Sequence, residues 1–160
     1  MSEIKVLFVC TGNICRSPTA EGVLRGQLTA AKLEARVAVD SCGLIDFHAG
    51  DPPTPMAIEY AQQRGYDLSE LRARRFRKKD FEEFDLIVSM DRGHHMQLLG
   101  MCPDRAVGKL HLFMDFATPP VRNPDVPDPY YGGPGDYTHA LDLIEDGVGG
   151  LIKALQRDHL

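Results

Sequence analysis

The chain has 160 residues, of which 43% are hydrophobic and 26% charged, and its formal net charge is -5. This size and composition suit a single soluble domain, residues 1–160, and the negative charge argues against nucleic acid as the main partner. No apolar run approaches the roughly 18–20 residues that a membrane span needs, and the N-terminus is a poor signal peptide. We therefore expect a cytoplasmic protein without a membrane partner, whose four cysteines are thiols rather than disulfides.

Short apolar runs and longer helical patterns alternate along the chain. Four nearly continuous apolar runs predict buried strands: residues 4–9, 37–41, 84–90 and 110–113. The segments between and after them predict helices: residues 18–32, 55–64, 92–101 and 136–157. This alternation indicates an α/β domain with a mainly parallel sheet, whose ligands bind at the carboxyl ends of the strands.

The ends of two predicted helices are less regular. Ser17 is a suitable cap for the first helix, with Pro18 at its first position. In the last helix, Gly147, Gly149 and Gly150 weaken the helical pattern enough to allow a break there.

The first predicted strand ends at CTGNICRS, residues 10–17, which leads into the first helix. Cys10 and Arg16 bracket five residues, a loop short enough to curl so that several backbone N–H groups point inward. Gly12 and Asn13 tolerate the left-handed backbone conformations that such a curl needs. Arg16 adds a fork that matches two phosphate oxygens, and the positive field favours the thiolate form of Cys10. The stretch predicts an oxyanion site above a nucleophilic thiol; the alternative is a buried cysteine beside a surface arginine.

A thiolate nucleophile also needs a proton donor for the leaving group, and a late loop offers one. Residues 124–133 read PDVPDPYYGG, and long loops without regular structure are often functional. Asp128 is the favoured acid and Asp125 its competitor, while Tyr130 and Tyr131 suit one wall of a slot for an aromatic ring. The alternative is a proline-rich turn with exposed aromatic side chains.

Together the two motifs resemble the low-molecular-weight protein tyrosine phosphatases. Four stretches fall where that family has them: VCTGNICRSPTAE at 9–21, DS at 40–41, FDLIVSMD at 84–91 and DPYYGG at 128–133. The resemblance implies a single-domain, three-layer α/β fold with a four-stranded parallel sheet, strand order 2-1-3-4, and helices on both faces. It also implies hydrolysis of phosphotyrosine and small aryl phosphates through a phosphocysteine intermediate, with inorganic phosphate as product and without cofactor or metal.

The resemblance further implies roles for individual residues. Cys10 is the nucleophile, Arg16 binds the phosphate, and Asp128 is the general acid and then the general base. Ser17 hydrogen-bonds the sulfur of the nucleophile and assists its departure. The other implied residues form the phosphate loop, support it or line the substrate slot: Thr11, Gly12, Asn13, Ile14 and Cys15 in the loop, Ser41 with Asn13 as support, and Phe47, Tyr130 and Tyr131 in the slot.

One departure from the family concerns how the loop is supported. The family often has a histidine two residues before an Ala-Arg pair, and Leu71 stands in that place before Ala73-Arg74. The sequence therefore predicts that the loop is braced differently in this chain.

Cys15 lies inside the loop, five residues from Cys10, so that a curled loop can bring the two thiols within disulfide distance. We hypothesise that Cys15 resolves an oxidised Cys10 and protects it from further oxidation. The alternative is a small loop residue without a redox role.

Two other functions compete with the phosphatase. Thiol-dependent arsenate reductases share the fold and the loop but need a further cysteine pair after the third strand, where FDLIVSMDRGHHM has none. A non-catalytic phosphoprotein-binding module should have lost the nucleophile, the arginine or the acid, and all three are present.

The expected partners are tyrosine-phosphorylated proteins, with a tyrosine kinase as one candidate. The basic run RARRFRKK, residues 72–79, is interpreted as a solvated surface, the alternative being an attraction for acidic phosphoproteins.

Overall fold

A computed structural model describes residues 3–119, 121 and 123–160. Its strands form one sheet in the order β2-β1-β3-β4, with every neighbouring pair parallel. The bounds are β1 Ile4–Cys10, β2 Val37–Gly43, β3 Leu86–Ser89 and β4 Leu110–Leu112. The predicted fold class and strand order are confirmed, and each strand overlaps its predicted run.

Helices cover both faces of the sheet. Their bounds are α1 Arg16–Ala30, α2 Pro55–Gln63, α3 Asp80–Glu83, α4 Arg92–Met101 and α5 Pro134–Asp158, with 3-10 turns at Asp104–Lys109 and Phe113–Phe116. Val6 and Phe8 of β1 pack with α1 and α5, whereas Leu7 and Val9 pack on the opposite side with α3 and α4. Because side chains alternate along a strand, the unbroken apolar run of β1 supplies both cores.

Helix α5 runs without a break through its glycines, so the break allowed by the sequence does not occur. A Cβ at Gly147 would lie 2.3 Å from the ring of Phe113, and one at Gly150 would lie 1.7 Å from the carbonyl oxygen of Phe116. These glycines let the turn Phe113–Phe116 approach the helix closely. Burial of the apolar face of α5 outweighs the cost of about 1 kcal/mol that each glycine adds in a helix.

Helix α1 begins at Arg16, not at Pro18, and its N-cap residue is Cys15. The predicted capping role of Ser17 is wrong, because the hydroxyl of Ser17 turns toward the sulfur of Cys10. Across residues 3–119, 121 and 123–160, no helix is both long and apolar enough to cross a bilayer.

Candidate active site

Residues 10–17, the phosphate loop, connect the carboxyl end of β1 to α1 at the edge of the sheet where ligands bind in such folds. The loop lies at the base of a cavity of about 200 Å³. Residues from three segments line the cavity: Cys10, Thr11, Gly12, Ile14, Cys15 and Arg16 from the loop, Ile45 and His48 from the segment after β2, and Asp128, Tyr130 and Tyr131 from the late loop. The structure thus brings the two sequence motifs together around one opening.

The segment after β2 supports the outer side of the phosphate loop. The backbone N–H groups of Leu44 and Ile45 both donate to the carbonyl oxygen of Thr11, at 2.9 and 3.1 Å. Gly43 lies so close that a Cβ there would be 2.7 Å from the same oxygen. The end of β2 therefore needs glycine for the loop to rest against it.

A chain of side-chain hydrogen bonds runs beneath the loop to the sulfur of Cys10. Asn13, whose φ is 60°, donates from Nδ2 to Ser17 Oγ and to Ser41 Oγ, each at 2.9 Å. Because both hydroxyls accept from Asn13, their own protons are free for other acceptors. Ser17 Oγ lies 2.9 Å from Cys10 Sγ, and Ser41 donates to Glu21 Oε1 at 2.7 Å.

Glu21 anchors the far end of this chain. It is 2% exposed, and burial raises the pKa of its carboxyl, against the opposing effects of the Ser41 hydrogen bond and of Arg25. Arg25, one turn along α1, forms an ion pair with Glu21 Oε2 at 2.6 Å. The chain of polar contacts is thus complete from the exposed guanidinium to the buried sulfur.

The loop is held without a histidine at position 71. Leu71 is half-buried against an apolar cluster that includes Ile14. In place of a side chain, the backbone N–H of Arg74 donates to Asn13 Oδ1 at 3.0 Å. The prediction of a different brace agrees with this geometry, and the brace comes from the main chain together with Glu21.

The basic run at residues 72–79 is partly structural. Arg74 donates to both carboxyl oxygens of the fully buried Asp80, at 3.0 and 3.3 Å, and to Asp40 at 3.1 Å. The interpretation of the run as a solvated surface is therefore wrong for Arg74, which no pattern in the sequence distinguishes from its exposed neighbours.

Arg16 is 5% exposed and lines the cavity. Hydrogen bonds hold its guanidinium in place. Its Nη1 donates to Asp91 Oδ2 at 2.8 Å and to the carbonyl oxygen of Val126 at 3.0 Å. Asp91 lies two residues after β3, and Val126 belongs to the late loop, whose backbone is tied to the residue that follows β3 by a 2.9 Å bond from Val126 N to Met90 O. Arg16 thus joins the phosphate loop to the loop that carries Asp128.

His94 occupies the space between Asp91, Arg16 and the phosphate loop. Its Nε2 lies 2.8 Å from Thr11 Oγ1 and 3.5 Å from Arg16 Nη2. Burial lowers the pKa of His94 to about 4, and Asp91 only partly opposes this effect. The imidazole is therefore neutral at physiological pH.

The two candidate acids in the late loop have different surroundings. Asp125 is paired with Arg92, whose Nη2 lies 3.1 Å from Oδ2, and this hydrogen bonding lowers the pKa of the carboxyl. Asp128 lines the cavity, with Oδ2 3.6 Å from Arg16 Nη2, and its other oxygen accepts from Tyr130 N at 3.0 Å. The geometry therefore favours Asp128 over Asp125 as a group that can reach a bound phosphate ester.

The mouth of the cavity is aromatic, but its walls differ from the prediction in one residue. Tyr130 and Tyr131 line it, with ring centroids 4.7 Å apart and nearly perpendicular planes. On the other side His48 lines the cavity, while Phe47 is 82% exposed and packs edge-on against His48 from outside. The prediction that Phe47 lines the slot is corrected to His48, because the turn after β2 directs adjacent side chains to different sides.

Comparison with known proteins shows the family to which the chain belongs. Residues 5–160 match the family model described as low molecular weight phosphotyrosine protein phosphatase. The chain belongs to this family. The phosphatase of that name from Schizosaccharomyces pombe is 43% identical over 154 residues, which cover 96% of this chain and 97% of the relative.

Solved structures of similar proteins share the fold of this phosphatase. A protein tyrosine phosphatase from Entamoeba histolytica, crystallised with Hepes in its active site, superposes with a TM-score of 0.92 at 35% identity, covering 96% of this chain and 97% of that chain. Wzb from Vibrio vulnificus, in complex with benzylphosphonate, superposes with a TM-score of 0.82 at 32% identity, covering 96% and 100%.

Cys15 of the phosphatase is a buried thiol that faces Thr54 and Tyr137. Its sulfur lies 3.7 Å from both Thr54 Oγ1 and Tyr137 Oη, which are themselves 3.1 Å apart. Burial raises the pKa of Cys15 to about 11 and that of Tyr137 to about 12. All four cysteines are free thiols.

Several residues of the site were missed by sequence reasoning: Glu21, Ile45, His48, Asp91 and His94. Asp91 lies two residues after β3 and His94 lies in the first turn of α4, and the carboxyl end of a parallel strand is a signal that could have identified them. Glu21 carries no such signal, because a glutamate on a helix is most often exposed.

The buried His94 is expected to make the phosphatase less stable in mild acid. Its pKa of about 4 in the folded chain lies below the ordinary value of 6.5, so between these values the unfolded chain binds one more proton. The free energy of unfolding therefore falls as the pH drops from 6.5 toward 4. Urea unfolding at pH 7, 6 and 5 should show a shallower loss for His94→Gln than for wild type; equal slopes would contradict the assignment.

Proposed function

We propose that Cys10 attacks the phosphorus of phosphotyrosine, with Arg16 binding the phosphoryl group and Asp128 transferring the proton. The observation that carries this proposal is the convergence on one cavity of a thiol and a buried guanidinium from the phosphate loop and a carboxyl from the late loop. Each group has the chemistry that a phosphate monoester requires: a nucleophile, a cation and an acid.

The phosphate loop supplies further anion-binding groups. Within the described part of the chain, the backbone N–H groups of residues 12–15 donate no hydrogen bond to another residue. They precede α1, whose N-terminus adds a positive field, and so they are available to three phosphoryl oxygens. Wzb from Vibrio vulnificus, a structural relative, was solved in complex with benzylphosphonate, which supports an aromatic phosphoryl ligand for this chain as well.

The reaction proceeds in two displacements. In the first, the Cys10 thiolate forms a bond to phosphorus while the bond to the tyrosine oxygen breaks, and Asp128 protonates the departing phenolate. In the second, Asp128 takes a proton from water, the oxygen of that water bonds to phosphorus, and the sulfur–phosphorus bond breaks. Inorganic phosphate is released and the thiolate is restored.

Two neighbours of the reacting groups assist these steps. The hydroxyl of Ser17, oriented by Asn13, donates to the sulfur when it leaves as a thiolate. Arg16 and the loop amides face the phosphoryl oxygens, where charge accumulates in the transition state. Because these groups already supply the positive charge, we expect the reaction to need no metal ion.

The proposal is tested by phosphate release from a phosphotyrosyl peptide and from the matched phosphoseryl peptide. Near pH 6, with EDTA and a thiol reductant, we expect release from the phosphotyrosyl peptide, because the aromatic mouth and the depth of the loop suit an aryl ester. The phosphoseryl peptide should be cleaved at least about 100-fold more slowly. Equal cleavage of the two, or loss of activity with EDTA, would contradict the proposal.

The physiological substrates are proposed from the same chemistry. We infer that they are tyrosine-phosphorylated proteins of the cytoplasm, with a tyrosine kinase as one candidate. The exposed aromatic mouth can admit a phosphotyrosine from a flexible segment of such a protein.

Cys15 is proposed to resolve an oxidised Cys10. Peroxide would convert Cys10 to a sulfenic acid, and the Cys15 thiol would then displace water to form a disulfide. The pKa of Cys15 is about 11, so this thiol resists direct oxidation by peroxide. Cys10 is therefore oxidised first, and Cys15 reacts with it second. Mass spectrometry after mild peroxide should show a Cys10–Cys15 linkage in wild type and over-oxidised Cys10 in Cys15→Ser. A wild-type protein without the linkage would refute the redox role.

A further inference from the structure

We propose that His94 is a positioning residue for the phosphate site, which holds the Thr11 hydroxyl and the Arg16 guanidinium in place through one imidazole nitrogen. The inference rests on the proposed function, since it concerns how this site binds a phosphoryl group. It gives a role to His94, a buried histidine that takes no part in the two displacement steps.

The geometry places both loop residues on the same atom of His94. Nε2 lies 2.8 Å from Thr11 Oγ1 and 3.5 Å from Arg16 Nη2. Thr11 is the first residue of the phosphate loop after the nucleophile, and Arg16 is the last before Ser17. One side chain from α4 therefore contacts both ends of the loop, although 83 and 78 positions separate it from them in sequence.

The charges around the ring fix its tautomer. Arg16 carries only donors, so Nε2 must offer its lone pair to the guanidinium and to the hydroxyl proton of Thr11. The ring proton then resides on Nδ1, which lies 3.2 Å from Asp91 Oδ1. That contact is poorly aligned for a hydrogen bond, and it acts as an electrostatic attraction. The opposite tautomer would turn an N–H toward Arg16 and a lone pair toward Asp91.

Asp91 links Arg16 and His94 through further hydrogen bonds. Its Oδ2 accepts from Arg16 Nη1 at 2.8 Å, while Oδ1 accepts from the backbone N–H of His94 at 2.9 Å. The carboxylate therefore caps α4 and orients both the imidazole and the guanidinium. His94 completes this arrangement by contacting the second guanidinium nitrogen, Nη2, which also lies 3.6 Å from Asp128.

The consequence is a pre-organised phosphate site. With Nη1 held by Asp91 and Val126 and Nη2 held beside His94, Arg16 has little freedom to leave the cavity. The Thr11 hydroxyl, which donates to His94 Nε2, is held in place in the same way. Removing the acceptor nitrogen should weaken phosphate binding more than it slows the chemical step, since His94 touches no reacting atom.

Three variants separate this positioning role from general packing. Thr11→Val removes the hydroxyl donor, His94→Leu removes the acceptor, and His94→Gln can place an amide oxygen where Nε2 was. Binding of inorganic phosphate, measured by titration calorimetry without turnover, should weaken about 3- to 10-fold in the first two variants. The double variant should be no weaker than His94→Leu alone, and His94→Gln should bind phosphate nearly as wild type does.

A spectroscopic measurement on the unliganded protein completes the test. Nitrogen-15 NMR of the His94 ring should show a protonated Nδ1 and an unprotonated Nε2 at pH 7, with the Nε2 shift moved by Thr11→Val. His95→Gln, one position along the same helix, is the matched control and should leave phosphate binding unchanged. Additive losses in the double variant, failure of His94→Gln to restore binding, or an Nε2–H tautomer would overturn the proposal. These readouts do not require turnover, so they stand apart from a failure of the proposed reaction.

Discussion

Replacing Cys10 by serine is expected to abolish phosphate release from phosphotyrosyl peptides, with a loss in kcat of about 10⁴-fold or more. A serine hydroxyl is almost wholly protonated near neutral pH, and the group that contacts the nucleophile, Ser17 Oγ, is itself a hydroxyl rather than a base. The variant keeps the phosphate loop and Arg16, so its affinity for inorganic phosphate should change by less than about 5-fold. Initial rates and phosphate titrations on the same preparation measure both quantities.

The matched control is Cys102→Ser. Cys102 lies outside the cavity, and its sulfur donates to the carbonyl oxygen of Pro103. This variant should retain wild-type rates. Substantial turnover by Cys10→Ser, or an equal loss in Cys102→Ser, would show that the nucleophile is misassigned.

Replacing Asp128 by asparagine is expected to lower kcat for a phosphotyrosyl peptide by about 10²- to 10³-fold, because the phenolate then leaves without a proton. KM should change little, since Asp128 is half-exposed and the phosphoryl group is bound by the loop and Arg16. The loss should be much smaller with p-nitrophenyl phosphate, whose leaving group is a far weaker base than the phenolate of tyrosine. Steady-state kinetics with the two substrates measures the difference.

Asp125→Asn is the control for the acid assignment. Asp125 is engaged by Arg92 through side chain and backbone, so its removal should disturb the late loop only modestly, with a loss in kcat below about 5-fold. A larger loss in Asp125→Asn than in Asp128→Asn would reverse the roles of the two carboxyls. Equal losses with both leaving groups would show that Asp128 does not act as the acid.

The strands and most helices could be predicted because their signals are local. The buried runs that form β1 and β3 are nearly continuous in apolar residues, and α4 lies at its predicted bounds, Arg92–Met101. The start of α1 could not be predicted, because the hydroxyl of Ser17 is taken by contacts with Cys10 and Asn13 that only the folded loop creates. The continuity of α5 likewise depends on Phe113 and Phe116, which are distant in sequence from its glycines.

The same distinction between local and distant signals applies to the residues of the candidate site. Cys10, Arg16 and Asp128 lie in motifs whose chemistry is readable from a few neighbouring residues. Their partners come from elsewhere: Glu21 supports Cys10 through Ser41, Asn13 and Ser17, and Asp91 and His94 hold Arg16 from the segment after β3. Such residues become visible only when the parallel sheet brings the carboxyl ends of its strands together.

The first experiment to perform is a rapid acid quench of the enzyme during turnover of a phosphotyrosyl peptide labelled with radioactive phosphorus. We predict a labelled protein whose phosphorus is attached to Cys10, at a level that rises with substrate concentration, and no label in Cys10→Ser. Asp128→Asn should still form the labelled protein, more slowly, with a poor leaving group. Steady turnover by wild type without labelled protein at any quench time, or a label that persists in Cys10→Ser, would contradict covalent catalysis by Cys10.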